Sequence, residues 1–146
     1  MPWKKILCPV DFSDGSRLSV EMAARMAKEA DAELVIANVL GMPVYYMVEP
    51  IAYPASFVTD LVVAAEEGLA QWKKEAQALG ATRVGTELLR GDATHEIAEL
   101  AKRGAFDLIV IGTHGRTGLK HVFLGSVAEK VVRHAPCPVL VVRRKD

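Results

Sequence analysis

The amino-acid sequence predicts an α/β protein in which a mostly parallel sheet carries helices on both faces. Short apolar runs, typical of buried strands, alternate with longer segments that repeat apolar residues every three to four positions, as helices do. The predicted order is β-α-β-α-β-α-β-α-β, which implies right-handed crossovers and a doubly wound sheet. The 146 residues suit one domain, and no linker, repeat or low-complexity tract divides them, so we expect a single domain over residues 1–146.

The first 40 residues contain two predicted strands with a predicted helix between them. Residues 6–10 and 33–40 are apolar runs that predict buried strands. Between them, a turn at residues 11–15 is rich in helix-capping side chains and precedes a helix. Four apolar residues at steps of four predict the buried face of that helix: Leu18, Met22, Met26 and Ala30.

Residues 41–54 interrupt this pattern with three prolines, three tyrosines and two methionines. We interpret them as a long loop, which is either a functional lid or contact surface or an irregular segment packed on the body. A long amphipathic helix then starts at Ser56 and ends near Gly80. Its predicted apolar stripe consists of Phe57, Leu61, Ala65, Leu69, Trp72, Ala76 and Leu79.

The second half repeats the alternation. Residues 82–89 predict a third strand, and a helix follows with Asp92 as its N-cap. Residues 108–111 predict a fourth strand, apolar on both faces, and a glycine-bearing loop follows it. Ser126 and Glu129 match a capping box that opens the last helix, and residues 139–142 predict the final strand.

Charge and composition exclude several classes of protein. Lys+Arg and Asp+Glu are both 18, which argues against nonspecific nucleic-acid binding, since that needs a basic excess. No run of 18 or more apolar residues and no leader-like segment occurs, so we expect a cytoplasmic protein without membrane spans. Cys8 and Cys137 have no zinc-like spacing and are expected to be reduced thiols, although the sequence leaves their pairing open.

The loop after the fourth strand has the residues of a phosphate site. Glycines at 112, 115, 118 and 125 would let backbone N–H groups approach an anion, and the helix that starts near Ser126 presents its positive end. Arg116, Lys120 and His121 add positive charge. The alternative is a glycine-rich turn that is needed only for its geometry.

Other motifs are absent. The chain has no G-x-x-x-x-G-K-[ST] string and no G-x-G-x-x-G string after its first strand, which argues against a P-loop NTPase and an ordinary dehydrogenase. It has no G-x-S-x-G elbow and no Cys–His signature for nucleophilic catalysis. We interpret His114 and His121 as polar loop residues rather than metal ligands or a catalytic base.

The spacing Gly112-x2-Gly115-x9-Gly125-Ser126 resembles the G-2x-G-9x-G-[S/T] ATP-binding signature of the universal stress protein family. The segments Ile6–Ser13, Gly112–Gly118 and Pro136–Val142 are similar to hallmark segments of that family. The resemblance covers essentially the whole chain in order, and it places the chain in the ATP-binding subclass.

The resemblance implies a five-stranded Rossmann-like sheet in the order 3-2-1-4-5, as in adenine nucleotide alpha hydrolases, with ATP across the ends of strands one and four. Mg²⁺ or Mn²⁺ often accompanies the phosphates in that family, but the sequence shows no carboxylate site committed to such an ion. The resemblance also implies a homodimer formed by antiparallel pairing of the edge strand Val139–Val142. The implied nucleotide-binding residues are Pro9, Val10, Asp11, Val39, Gly112, His114, Gly115, Arg116, Gly125, Ser126 and Val127.

Three functions remain open on these grounds. The first is a regulatory stress-response protein that binds ATP as a ligand. The second is a slow ATPase or phosphotransferase, which the lack of a recognisable general base weakens. The third is an interaction module that binds no nucleotide, against which the intact glycine spacing argues. For Asp11, a role as an acceptor for the ligand competes with a role as a helix cap.

Overall fold

The computed structural model describes residues 2–41, 55–113 and 124–144. The predicted loop at residues 41–54 therefore lies outside the described residues, apart from Gly41. The described strands are β1 (Lys5–Val10), β2 (Glu33–Leu40), β3 (Arg83–Arg90), β4 (Leu108–Gly112) and β5 (Val139–Val142). The described helices are α1 (Asp14–Ala30), α2 (Ala55–Ala78), α3 (Ala93–Arg103) and α4 (Ser126–His134).

The strands form one parallel sheet in the order β3-β2-β1-β4-β5. Helices α1 and α2 cover one face, and α3 and α4 cover the other. Because β1, β2 and β4 have helices on both sides, their central residues are buried without alternation. The predicted doubly wound fold and its strand order are confirmed.

The predicted apolar face of α1 is confirmed only in part, since Met26 and Ala30 pack partly buried against the core and other residues are buried more deeply. Met22 is 39% exposed, and the residues that face the sheet are Ser16, Ser19, Val20, Ala23, Ala24 and Ala27. A step of four residues turns about 400°, so a run of such steps drifts around the helix by about 40° each time. The small side chains of the true face let α1 lie close to β1 and β4, which positions its first turn at the end of the sheet.

The apolar stripe of α2 is confirmed in its middle and is wrong at both ends. Ala65, Leu69, Trp72 and Ala76 are buried, whereas Phe57, Leu61 and Leu79 are 37%, 39% and 37% exposed. The buried half packs on the same core as α1. No helix in the described ranges is long and apolar enough to cross a membrane.

Both cysteines are free thiols. Burial raises the pKa of the Cys8 thiol to about 12, an effect that a hydrogen bond with Ser19 only partly offsets. Burial, and then the charge of Asp107, raise the pKa of Cys137. Neither thiol is activated as a nucleophile, because both shifts favour the protonated form.

Candidate functional site

A cleft of about 240 Å³ opens at the carboxyl edge of the sheet. Strand β1 lies between β2 and β4, so the chain leaves it toward one side and later returns on the other. In parallel sheets this reversal leaves a crevice that binds ligands. The described residues that line the cleft are Pro9, Val10, Asp11, Ser16, Ala37, Asn38, Val39, Ala93, Ile97, Ile111, Gly112, Gly125, Ser126, Val127 and Ala128.

Eight of the residues predicted to bind nucleotide lie together on the wall of this cleft: Pro9, Val10, Asp11, Val39, Gly112, Gly125, Ser126 and Val127. They come from three strand ends and one helix start that are far apart in sequence. The other three, His114, Gly115 and Arg116, lie outside the described residues. The role of each of the eleven in binding stays a prediction.

The turn between β1 and α1 fixes the carboxylate of Asp11. Its Oδ1 accepts hydrogen bonds from the backbone N–H of Ser13 at 3.0 Å and from the hydroxyl of Ser16 at 2.7 Å. The Ser16 hydroxyl in turn accepts the backbone N–H of Asp11 at 2.9 Å. Ser13, not Asp11, is the N-cap of α1. The side chain of Asp11 is therefore part of a hydrogen-bonded turn at the mouth of the cleft.

Phe12, the next residue, has a φ of 64°, a left-handed conformation that costs a bulky residue about 1–2 kcal/mol. Its ring packs edge-on against Trp72 of α2, with 5.1 Å between the ring centroids and an interplanar angle of 83°. Such strain persists only where the surrounding structure holds it in place. The contact with α2 provides that hold, so the turn that carries Asp11 is tied to a helix outside the cleft.

The glycine at the end of β4 has a structural reason of its own. A Cβ on Gly112 would lie 2.7 Å from the carbonyl oxygen of Gly15 in α1, closer than side chains tolerate. The following residue, Thr113, donates its N–H to Val142 at 3.1 Å, and its carbonyl accepts the N–H of Gly125. The second of these bonds joins Thr113 directly to Gly125, which lines the cleft.

Helix α4 begins at the cleft, and its N-cap is Gly125. Among the described residues, no side chain forms a capping hydrogen bond with it. The predicted capping box is therefore wrong: Ser126 is the first helical residue, and Glu129 forms an ion pair with Arg133 at 2.7 Å instead. Within the described part of the chain, the first-turn N–H groups and the positive end of the helix dipole are therefore not engaged by a side-chain cap, which suits them to an anion.

Sequence reasoning missed seven residues of the wall: Ser16, Ala37, Asn38, Ala93, Ile97, Ile111 and Ala128. Asn38 carried a usable signal, since it is the single polar residue within an otherwise apolar run in β2. It is 7% exposed, and its Nδ2 donates to the carbonyl of Val10 at 2.8 Å. This bond occupies the last carbonyl of β1 and so fixes the backbone that leads into Asp11.

The arrangement is suited to binding. Val10, Val39 and Ile97 provide apolar surface for a flat ring, while the N-terminus of α4 provides donors and positive potential for an anionic group. Within the described residues, no three His, Cys, Asp or Glu side chains are grouped so that they could hold a metal ion. The described wall therefore combines apolar side chains with a helix end whose positive potential suits an anionic group.

Known proteins resemble this chain over nearly its full length. The model of the universal stress protein family matches residues 2–143. The universal stress protein MJ0531 of Methanocaldococcus jannaschii is 40% identical and is aligned over 97% of this chain and 83% of its own. Universal stress protein UspA from Lactobacillus plantarum superposes with a TM-score of 0.88 at 29% identity, covering 98% of this chain and 99% of that one. A universal stress protein in complex with cAMP superposes with a TM-score of 0.73 at 26% identity, covering 98% of each chain.

Proposed function

Because this chain belongs to the universal stress protein family, we propose that it is a regulatory protein of the ATP-binding subclass. The cleft holds the nucleotide, with the base and ribose near the ends of β1 and β2 and the phosphates at the start of α4. Binding would then shift the stability or the partner contacts of the protein rather than turn over a substrate.

The observation that carries this proposal is the N-terminus of α4, which no described side chain caps, at a cleft whose described lining is mostly apolar. An adenine nucleotide has the complementary halves, a flat apolar ring system and an anionic phosphate chain. The cAMP complex of a similar protein supports an adenine nucleotide as the ligand class. The glycine spacing after β4 supports ATP within that class.

The residues present fit a divalent ion only in a supporting role. Asp11 is the one carboxylate among the described lining residues, and Ser13 and Ser16 already bond to it. Mg²⁺ commonly keeps several waters and binds mainly through substrate phosphates. An ion accompanying ATP here would be held by the phosphates and water, and Asp11 is the described side chain that could add to its coordination.

Replacement of Ser126 by glutamate tests the placement of the phosphates. Ser126 is exposed, so the longer side chain disturbs no packing, and an acidic residue in a first helical turn is favourable for the helix. The same charge repels a phosphate at that helix end. We expect ATP affinity, measured by titration calorimetry of nucleotide-free protein with Mg²⁺, to fall about tenfold or more at low salt.

Ser126→Gln is the matched control, since it has the same size without the charge. We expect it to bind ATP almost as the parent does, and both variants to melt no lower than the parent without ligand. Absence of ATP binding by the parent protein would contradict the proposed function. Equal binding by the glutamate and glutamine variants would contradict the placement of the phosphates at α4.

A further inference from the structure

We propose that Phe12 is a positioning residue that ties the nucleotide cleft to helix α2. The inference rests on the proposed function and adds a residue that does not line the cleft. Through its ring, Phe12 holds the β1–α1 turn in the conformation that presents Asp11. A ligand that bonds to Asp11 is thereby coupled to the position of α2.

The backbone conformation of Phe12 determines how the β1–α1 turn is formed. Asp11 and Ser13 flank Phe12, and the bond from the Ser13 N–H to Asp11 Oδ1 spans it. The φ of Phe12, 64°, sets the direction in which the chain passes from β1 into α1. A phenylalanine that is free to relax would leave this left-handed region. The direction of the Asp11 carboxylate therefore depends on what keeps Phe12 there.

The ring of Phe12 packs against two residues of α2. A Cβ on Gly68 would lie 2.9 Å from two carbons of the Phe12 ring, so the absence of a side chain at Gly68 is what lets the ring approach. The ring also meets Trp72, which lies one helical turn beyond Gly68 and is 6% exposed. Gly68 and Trp72 together therefore form the surface of α2 on which this ring packs.

Helix α1 also contacts this part of α2, through Arg17. The guanidinium of Arg17 lies 4.9 Å from the centre of the Trp72 ring, and it forms an ion pair with Glu75 of α2. The turn and the first helical residues are thus attached to α2 at neighbouring points. Coupling between two sites is reciprocal, so a ligand that pulls on Asp11 also stabilises the contact with α2.

A double-mutant cycle on ATP binding tests the inference, using Phe12→Ala, Asp11→Ala and the combined variant. Alanine keeps the Cβ, and with it the backbone preference, but removes the ring. We expect Phe12→Ala to weaken ATP binding about tenfold in the parent and to have almost no further effect once Asp11 is alanine, because residues that act together are not additive. Phe12→Leu serves in the same cycle if the alanine variant does not fold.

Phe106→Ala is the matched control. Phe106 is also an aromatic residue packed on the core, 6% exposed, but it precedes β4 and therefore lies at the opposite edge of the sheet. We expect it to lower stability in urea without weakening ATP binding. Equal weakening by Phe12→Ala in both backgrounds, or no weakening in the parent, overturns the inference and leaves the proposed function intact. Failure of the parent to bind ATP overturns both.

Discussion

At the scale of single residues, the glycines after β4 do not all serve the same purpose. Gly112 is required by packing, since its Cα faces the carbonyl of Gly15 where α1 crosses the end of the sheet. Gly125 is the N-cap of α4 and lies on the cleft wall with no side chain over the helix end. The glycine spacing that resembles a binding signature therefore includes at least one position that the fold itself demands.

Substitution of Gly112 by alanine should lower the free energy of unfolding by about 1–3 kcal/mol, the usual cost of overpacking. The physical reason is the 2.7 Å approach of the new Cβ to a backbone oxygen that cannot rotate away. Urea denaturation of the ligand-free protein measures the loss. Gly85→Ala in β3 is the control, because its Cβ would have Val35 Cγ2 as its nearest neighbour at 3.8 Å. An equal loss in both variants would contradict this explanation.

The residues of the cleft wall show how far single positions could be predicted. Asp11 and Ser126 stand at boundaries between elements, where a polar residue after a strand or at a helix start is visible in the sequence. Ala37 and Ile97 face the cleft from a strand and a helix. At such positions an apolar residue fits the sequence pattern equally well whether it lies in the core or contacts a ligand. Only the packing of neighbouring elements decides which of the two surfaces an apolar residue meets.

At the scale of elements, helix starts divide into capped and uncapped ones. Asp92 caps α3 by accepting the N–H of His95 at 2.9 Å, and Ser13 caps α1 in the same way. Helix α4 starts on a glycine, and no side-chain hydrogen bond from the described residues caps it. The side-chain caps of α1 and α3 each satisfy one first-turn N–H group, and the difference at α4 is the element-level basis of the proposed phosphate site.

Replacement of Asp92 by alanine should cost about 1 kcal/mol of unfolding free energy, since it leaves an N–H at the start of α3 without its acceptor. Asp92→Asn keeps an acceptor oxygen and should recover most of that loss. Thermal or urea denaturation of both variants measures the difference. If alanine and asparagine destabilise the protein alike, the cap at Asp92 contributes through something other than this hydrogen bond.

Element types and order followed from the sequence, whereas details at the helix ends and faces did not. The apolar runs of β1, β2 and β4 are unambiguous because helices cover both of their sides. The predicted face of α1 included the large residues Leu18 and Met22, but the most deeply buried residues are mostly small, such as Ala23 and Ala24. How deeply a helical residue is buried depends on how closely the helix approaches the sheet. The packing of all the neighbouring elements sets that distance.

At the scale of the whole molecule, the sheet leaves β5 as an edge strand. Its four residues are half-buried, with Val139 and Val141 packed toward one core and Leu140 and Val142 toward the other. An apolar edge strand is a surface on which a second chain can pair. We therefore keep, as a prediction, the homodimer formed by antiparallel pairing of β5 with its copy.

The hydrogen bonds of β5 show which of its backbone groups pair with β4 and which face the open edge of the sheet. A substitution that removes an N–H group from the open edge would disrupt pairing with a second chain and leave the pairing with β4 intact. Ile109 donates its N–H to Pro138, and Thr113 donates to Val142, so residues 138, 140 and 142 face β4. Alternation along the strand directs the N–H groups of Val139 and Val141 away from β4. A proline at 141 removes a donor from the open edge and keeps those bonds to β4.

We expect Val141→Pro to convert a dimer to monomer in sedimentation equilibrium while the monomer stays folded by circular dichroism. Val141→Thr is the control, because it retains both the branched shape and the N–H, and it should remain dimeric. A parent protein that sediments as a monomer would contradict the predicted dimer. A proline variant that stays dimeric would show that the chains meet elsewhere, because the antiparallel ladder proposed for β5 requires the N–H groups on its open side.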